Sequence, residues 1–367
     1  MRIGIDAHML GDHSGGNESY YTNILQNMIV PEEDEIYLFV KKNIDSSAYS
    51  HKFKVVEFEE ESAFKRNFIE LSKLCKKYQL DLLHTQYFIP FHRPCPVVCT
   101  IHDICFEHYK DIFTKKEYIR QKLLIPYAAK HSKAIFTVSE HAKNDIISHY
   151  HIPAERVIVT YNAVNSGFRR LEDAVLDSVG LRKKYNISND YILSVGNLQP
   201  RKNLVRLIKA FRTLKETTDC NEQLVIVGKK AWMFDDILRE AINNNADVIF
   251  TDYVSQEDLI RLYNDAKCFV YPSFFEGFGI PPLEAMACGT PVAVANATAL
   301  PEVVGDAGIY FDPFSVDEIV EAMKSMINSK YKTELLSKKM QEQVKKFSWE
   351  KSAENIFDCY ECIMENS

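Results

Sequence analysis

Short runs of wholly apolar residues recur along the chain, separated by stretches with helical periodicity, and this pattern limits the possible folds sharply. RIGIDA, EIYLFV, DLLHT, PVVCTI, AIFTVS and RVIVTY fill the first half; YILSVG, QLVIVG, DVIFTD, CFVYPS and PVAVA fill the second. A strand that is apolar at consecutive positions needs cover on both faces, as in a parallel sheet flanked by helices, whereas a half-exposed antiparallel strand alternates. The fold class is therefore α/β, built from βαβ units. Strand signal lapses between residues 166 and 188 and resumes at Tyr191. We accordingly expect a first domain over 1–170, a linker over 171–189, a second domain over 190–346 and a terminal helix over 347–367. A chain of 367 residues has room for both domains at about 150 residues each. Low-complexity tracts and short fixed-period repeats, which would indicate linkers or solenoids, do not occur.

Composition removes several function classes. Net charge is −7 with 26% charged residues, which argues against nucleic-acid binding by bulk charge. The opening MRIGIDAHMLG lacks the long apolar core of a signal peptide and reads as a first strand. No window reaches the roughly 18 to 20 uncharged apolar residues that span a bilayer. Nine cysteines, scattered through apolar segments, fit reduced thiols in a cytoplasmic protein. Cys359 and Cys362 form a lone CxxC without a neighbouring His, which reads as two small helix side chains and not as a metal site.

Doubly wound sheets bind ligands beyond the carboxyl ends of their strands, and the chemistry-bearing residues of this chain follow its apolar runs. In YPSFFEGFGIPPLEAMACGTPV, starting at Tyr271, Glu276 and Glu284 are separated by seven residues around a Gly-Phe-Gly-Ile-Pro-Pro loop. Pro281 or Pro282 suits a first helical turn, so Glu276 is expected in a loop and Glu284 in the opening turn. The unpaired amides of that turn, with those around Phe278 and Gly279, suit an anion. Glu284 complementing a helix dipole, with Glu276 merely solvated, is the plainer alternative. A second segment, LSVGNLQPRKNLVRLIKAF from Leu193, puts Arg201 and Lys202 between a strand and an amphipathic helix, where two cations suit a diphosphate.

The Glu276–Glu284 segment closely resembles the E-x7-E signature of the retaining group 1 glycosyltransferases, family four, which adopt the GT-B fold. The resemblance covers nearly the whole chain. It implies two Rossmann-like doubly wound domains facing across a cleft, with a C-terminal helix (from Phe347) returning to the N-terminal domain. It also implies that Glu276 contacts the donor sugar, Glu284 the ribose, the Phe278, Gly279 and Ile280 amides the sugar and diphosphate, and Arg201 and Lys202 the leaving diphosphate. Some relatives carry Arg directly after the glycine where this chain has Asn197, which leaves the role of Arg201 open. The turn near Tyr253 and Val254 resembles the one whose backbone recognises the nucleotide base. LPEVVGDAG from Leu300 resembles the polysaccharide mannosyltransferase branch, which favours GDP-mannose over a UDP-sugar.

In the first half, Gly15 and Gly16 lie between strand and helix without a GxGxxG fingerprint; the resemblance implies close approach to donor phosphate and acceptor. It likewise implies that His102 contacts the transferred sugar. His84 is evenly balanced between structure and function, and Ser139 and Asn162 match cleft-edge positions that local capping also explains. We assign His102, Lys202 and Glu276 to catalysis. The implied reaction is hexosyl transfer with retention on the leaving-group face, with Glu276 positioning the sugar and the diphosphate taking the acceptor proton. No Asp-x-Asp occurs, so neither a metal nor another cofactor is expected. The expected partners are a GDP- or UDP-sugar and a glycan or lipid-linked saccharide acceptor, with no nucleic acid. The Lys110–Lys133 stretch, with six Lys and one Arg, is compatible with peripheral contact on the inner membrane face, although a solvated helix is the simpler reading. Alternatives are another UDP-sugar hexosyltransferase, an epimerase or phosphorylase, a nicotinamide oxidoreductase, and a non-catalytic sugar-nucleotide-binding protein.

Overall fold

The computed structural model describes residues 1–11, 15–230, 235–242, 247–327 and 334–366. The chain forms two compact units, Met1–Asn162 with Ser348–Ser367, and Ala163–Phe347.

The first unit is a seven-stranded sheet of β1 (Arg2–Asp6), β2 (Glu35–Val40), β3 (Lys54–Glu57), β4 (Leu82–Gln86), β5 (Val97–Thr100), β6 (Ile135–Thr137) and β7 (Val157–Val159). Their order is β3-β2-β1-β4-β5-β6-β7, and every pairing is parallel. The order reverses direction at β1 and β4, which makes their carboxyl ends the switch point where such sheets hold ligands. The central strands are covered on both faces, and Phe39, Leu83, Ile101 and Ile135 share one core with Leu71 and Ile146 from flanking helices. The Trp349–Glu365 helix belongs to this unit and packs on the Gly16–Asn27 helix. Ser348 caps it by accepting from the Lys351 amide at 3.1 Å, and Ser352 Oγ donates to the Tyr161 carbonyl at 2.7 Å. The returning terminal helix is thus held by both packing and hydrogen bonds.

The second unit contains β8 (Tyr191–Val195), β9 (Gln223–Val227), β10 (Val248–Phe250), β11 (Cys268–Tyr271), β12 (Val292–Ala295) and β13 (Gly308–Phe311). All are parallel, in the order β10-β9-β8-β11-β12-β13. Here β8 and β11 flank the switch point. A Cβ on Gly228, just after β9, would lie 2.1 Å from the Gly196 carbonyl oxygen, so glycine permits two strand-end turns to touch.

Two strands escaped the sequence pattern. β3 and β13 are sheet edges; KVVE has a half-exposed profile and GIYF is mostly half-buried, so neither gives the long apolar run of a covered strand. Residues 171–189, expected as a linker, lie in the second unit and include the Ser178–Lys184 helix. Arg182 fastens that helix with bonds to Asp265 at 2.8 Å and Asp190 at 3.1 Å.

Candidate active site

The Lys202 turn is built by local backbone geometry. Pro200–Lys202 form one 3-10 turn after β8, and Asn203 then adopts a left-handed φ of 57° before the Leu204–Thr217 helix. Asn tolerates that conformation, and its side chain gains compensating bonds. Asn203 Nδ2 donates to the carbonyls of Pro272 at 3.0 Å and Pro313 at 2.7 Å. The turn after β8 is thereby clamped against the loop after β11, and the two sequence motifs meet.

Their meeting point is Glu276, only 6% exposed. Arg201 Nη1 donates to its Oε2 at 2.8 Å, and Lys202 Nζ to its Oε1 at 2.7 Å. Lys202 Nζ also donates to the Tyr271 hydroxyl at 2.5 Å, and that hydroxyl donates to Glu276 Oε1 at 3.0 Å. Thr298 Oγ1 accepts from the Glu276 amide at 3.0 Å, fixing the loop backbone. Burial alone would raise the Glu276 carboxyl, yet the Arg201 and Lys202 charges outweigh it and pull the pKa down to about 2. Glu276 is therefore an anion, and the group carries one net positive charge in a largely dry setting. Sequence reasoning separated a sugar-binding Glu from a phosphate-binding cation pair; the structure joins them in one network.

The following helix, Ile280–Ala287, has Gly279 as N-cap with φ of 107°, and a Cβ there would meet Leu300 Cδ2 at 2.6 Å. Pro281 and Pro282 have no N–H, so the donors of the helix start are concentrated at Gly279 and Ile280. Phe278 is buried, its ring edge-on to Phe347 at 5.2 Å. Glu284 is the fifth helical residue, one position past the opening turn in which it was expected, because the helix starts at Ile280 and not at a proline.

Glu284 is half-buried and accepts from the Tyr263 hydroxyl at 2.9 Å. Burial pushes its pKa up to about 7, and the Tyr263 bond offsets only part of that. The two glutamates thus carry opposite shifts: one locked as an anion, one poised near neutrality. Val254 is buried immediately before Ser255, which caps the Gln256–Asp265 helix by accepting from Asp258 at 3.2 Å. Tyr271 and Tyr263 were not singled out from the sequence, where each reads as a core aromatic; their place before Glu276 and in the Val254 segment was the available signal.

Among the first unit's candidates, His102 follows β5 and is 6% exposed. Burial lowers its pKa to about 3, so it is neutral. Gln86 Nε2 donates to its Nε2 at 2.8 Å, and the Tyr20 ring lies edge-on at 4.8 Å. With Gln86 as donor, the His102 proton resides on Nδ1. His84 is structural: its Nδ1 lies 2.5 Å from the Tyr360 hydroxyl and its Nε2 2.7 Å from the Thr100 hydroxyl. Ser139 Oγ caps the Glu140–Tyr150 helix by accepting from Ala142 at 3.0 Å. Asn162 is buried, and its Oδ1 has no hydrogen-bond partner among the described residues. Gly15 is the N-cap of the Gly16–Asn27 helix with φ of 80°, and added Cβ atoms at Gly15 and Gly16 would meet open space. Cys359 is buried and Cys362 exposed, and both thiols are free.

Two doubly wound units on one chain, with an anion-ready turn and a carboxylate pair at the strand ends of the second, define a GT-B glycosyltransferase. Residues 180–347 match the family Glycosyl transferases group 1, and residues 27–168 match Glycosyltransferase Family 4. The chain is 34% identical over 299 residues to O-antigen chain mannosyltransferase B of Escherichia coli, spanning 78% of this chain and 76% of that protein. It is 31% identical over 283 residues to the serotype-specific mannosyltransferase WbdA of Escherichia coli, covering 75% of this chain and 34% of WbdA. The structure of Anabaena HepE in complex with UDP and glucose shares the fold with a TM-score of 0.76 at 18% identity, covering 99% of this chain and 100% of that one. The chain belongs to the group 1 glycosyltransferases, and it is an enzyme of the mannosyltransferase branch of that family.

Proposed function

We propose that the enzyme transfers mannose from GDP-mannose to a glycan or lipid-linked saccharide, in the cytoplasm, with retention of anomeric configuration. The mannosyltransferase names of its relatives support the sugar. The observation that carries the mechanism is the Arg201–Glu276–Lys202 network. A retaining glycosidase needs a free carboxylate nucleophile. Glu276 instead spends both oxygens on cations, which occupies the lone pairs an attacking carboxylate would use and suits holding a sugar. The leaving diphosphate then takes the acceptor proton as its charge grows, stabilised by Lys202, Arg201 and the Gly279 and Ile280 amides. Neutral His102 offers a hydrogen bond to the transferred sugar without adding charge.

A thermal-shift panel of sugar nucleotides tests the donor. GDP-mannose is expected to give the largest shift, since a ligand at one hundred times its dissociation constant stabilises by about 2.7 kcal/mol. A larger response to UDP-glucose or another UDP-sugar moves the donor to that class, and no response to any sugar nucleotide overturns the proposal. We also propose that no divalent metal takes part, because the sequence lacks Asp-x-Asp and Arg201 and Lys202 supply the cationic charge in the proposed reaction. Turnover is expected to persist in EDTA. Complete loss, restored by magnesium, contradicts this.

A further inference from the structure

A cavity of about 370 Å³ opens in the first unit between the turn after β1 and the turn after β2, a volume within the range of small-ligand sites. Backbone conformation builds it. Gly11 has a φ of 73°, and a Cβ there would come within 2.6 Å of Ile44 Cδ1, so glycine lets the two turns close on one another. Asn43, a residue type that tolerates its left-handed φ of 62°, carries the chain out of β2 toward Ile44 and Asp45. Leu10 and Ile44 supply an apolar wall.

Two carboxylates, Glu18 and Asp45, also line the cavity. Each has one oxygen held by its own chain. Glu18 Oε1 accepts from the Gly11 amide at 2.8 Å, and Asp45 Oδ1 accepts from the Ser47 amide at 3.1 Å and the Ser47 hydroxyl at 2.7 Å. These bonds fix both side chains, and the two from Ser47 hold the Asp45 carboxyl below its ordinary range. The second oxygens, Glu18 Oε2 and Asp45 Oδ2, accept no hydrogen bond among the described residues. No Lys, Arg or His occurs among the described residues that line the cavity. Fixed anionic acceptors with no cation beside them attract hydroxyl donors and repel a phosphate or carboxylate. A pyranose, with hydroxyls around its edge and C–H groups on its faces, matches both the acceptors and the apolar wall.

The position of the cavity says which sugar it would hold. β1 and β2 are neighbours, and the sheet continues from β1 through β4 to β5, after which His102 follows. Two and a half strand spacings separate the cavity from the end of β5, roughly 12 Å at about 4.8 Å per strand. That is farther than one pyranose ring reaches. We infer that this cavity is a saccharide subsite, in which Glu18 and Asp45 hold an uncharged hexose unit of the acceptor chain away from the unit that reacts. The inference rests on the glycan acceptor proposed above and deepens it: the enzyme prefers a neutral chain to a single sugar, and discriminates against units that carry phosphate or carboxylate at this place.

The test is calorimetric titration of the full chain, without donor, with mannose, mannotetraose, mannose 6-phosphate and glucosamine. Mannotetraose is expected to bind more tightly than mannose, and mannose 6-phosphate more weakly than either. Glu18→Gln and Asp45→Asn keep an oxygen for the Gly11 and Ser47 donors and remove the charge. Each is expected to weaken mannotetraose about five- to tenfold, the difference between a charge-assisted and a neutral hydrogen bond. Variants that bind mannotetraose like the parent, or a parent that binds no mannotetraose, overturn the inference. So does mannose 6-phosphate binding as tightly as mannose, which means the carboxylates do not meet the ligand. Glucosamine binding more tightly than mannose assigns the cavity to a cationic sugar and overturns the uncharged class. These titrations contain no sugar nucleotide, so their failure is distinct from failure of the glycosyltransferase reading; unchanged sugar-nucleotide thermal shifts in the variants verify their folding.

Discussion

Lys202→Ala is expected to lower kcat by about 10² to 10³, the effect of removing one preorganised donor from a developing oxyanion. Lys202 is 8% exposed and fixed by Glu276 and Tyr271, so it pays little reorganisation as the diphosphate charge grows. Its interaction strengthens toward the transition state, and the loss falls on kcat more than on donor affinity. Arg201 and the Gly279 and Ile280 amides still hold the phosphates in the variant. Deleting Lys202 also removes one of two cations that keep Glu276 ionised, which separates two explanations. If Lys202 acts only by holding Glu276, the kcat defect shrinks as pH rises; if it meets the leaving group, the defect persists across the pH range. Saturating-donor turnover within about threefold of the parent, or a defect confined to KM, assigns Lys202 to uniform binding.

The site was readable in the sequence to the extent that its chemistry is local. Glu276, Gly279 and Glu284 belong to one strand-to-helix segment, so their spacing alone describes the loop. The partners of those residues were not readable, because folding brings them from afar: Lys202 reaches Glu276 across 74 positions and Tyr263 reaches Glu284 across 21. His84 shows the same limit from the other side. From the sequence its role was evenly balanced; the structure places it inside β4, and its assignment to the scaffold depends on Tyr360, which lies 276 residues away. The fold divided along similar lines. Covered strands such as VVCT and VAVA reveal themselves because both faces need apolar residues, whereas KVVE, charged at both ends, and GIYF, half-buried along most of its length, interrupt the apolar run. The Ser178–Lys184 helix was missed because Arg182 secures it through distant Asp265, with no apolar stripe to announce it.

Glu284 is expected to show a conflict between stability and binding. Burial raises its pKa from 4.5 to about 7, so folding disfavours its charged form. In the unfolded chain the carboxyl ionises above about pH 4.5, while in the folded chain it resists until about pH 7. Stability is therefore lost as pH rises across that window, and the cost stays constant above it. At about 1.4 kcal/mol per pKa unit, discounted for partial solvation, the cost is about 1 to 3 kcal/mol. Glu284→Gln keeps an oxygen for the Tyr263 hydroxyl and removes the charge. It is expected to stabilise the protein by that amount at pH 8 and to be nearly neutral at pH 5, as read by denaturant unfolding. Donor binding runs the opposite way. A carboxylate that accepts ribose hydroxyls must be ionised, so nucleotide binding lowers its pKa and releases a proton. Parent affinity is expected to fall about tenfold from pH 8 to pH 6, by linkage to a free-state pKa near 7. The Gln variant binds more weakly at pH 8 by about 1.5 to 3 kcal/mol, the value of a hydrogen bond to a charged group, and its affinity is flat with pH. Calorimetry that finds the same pH slope in both proteins removes Glu284 from the ribose. A Gln variant no more stable than the parent at pH 8 shows instead that the buried carboxyl ionises without cost.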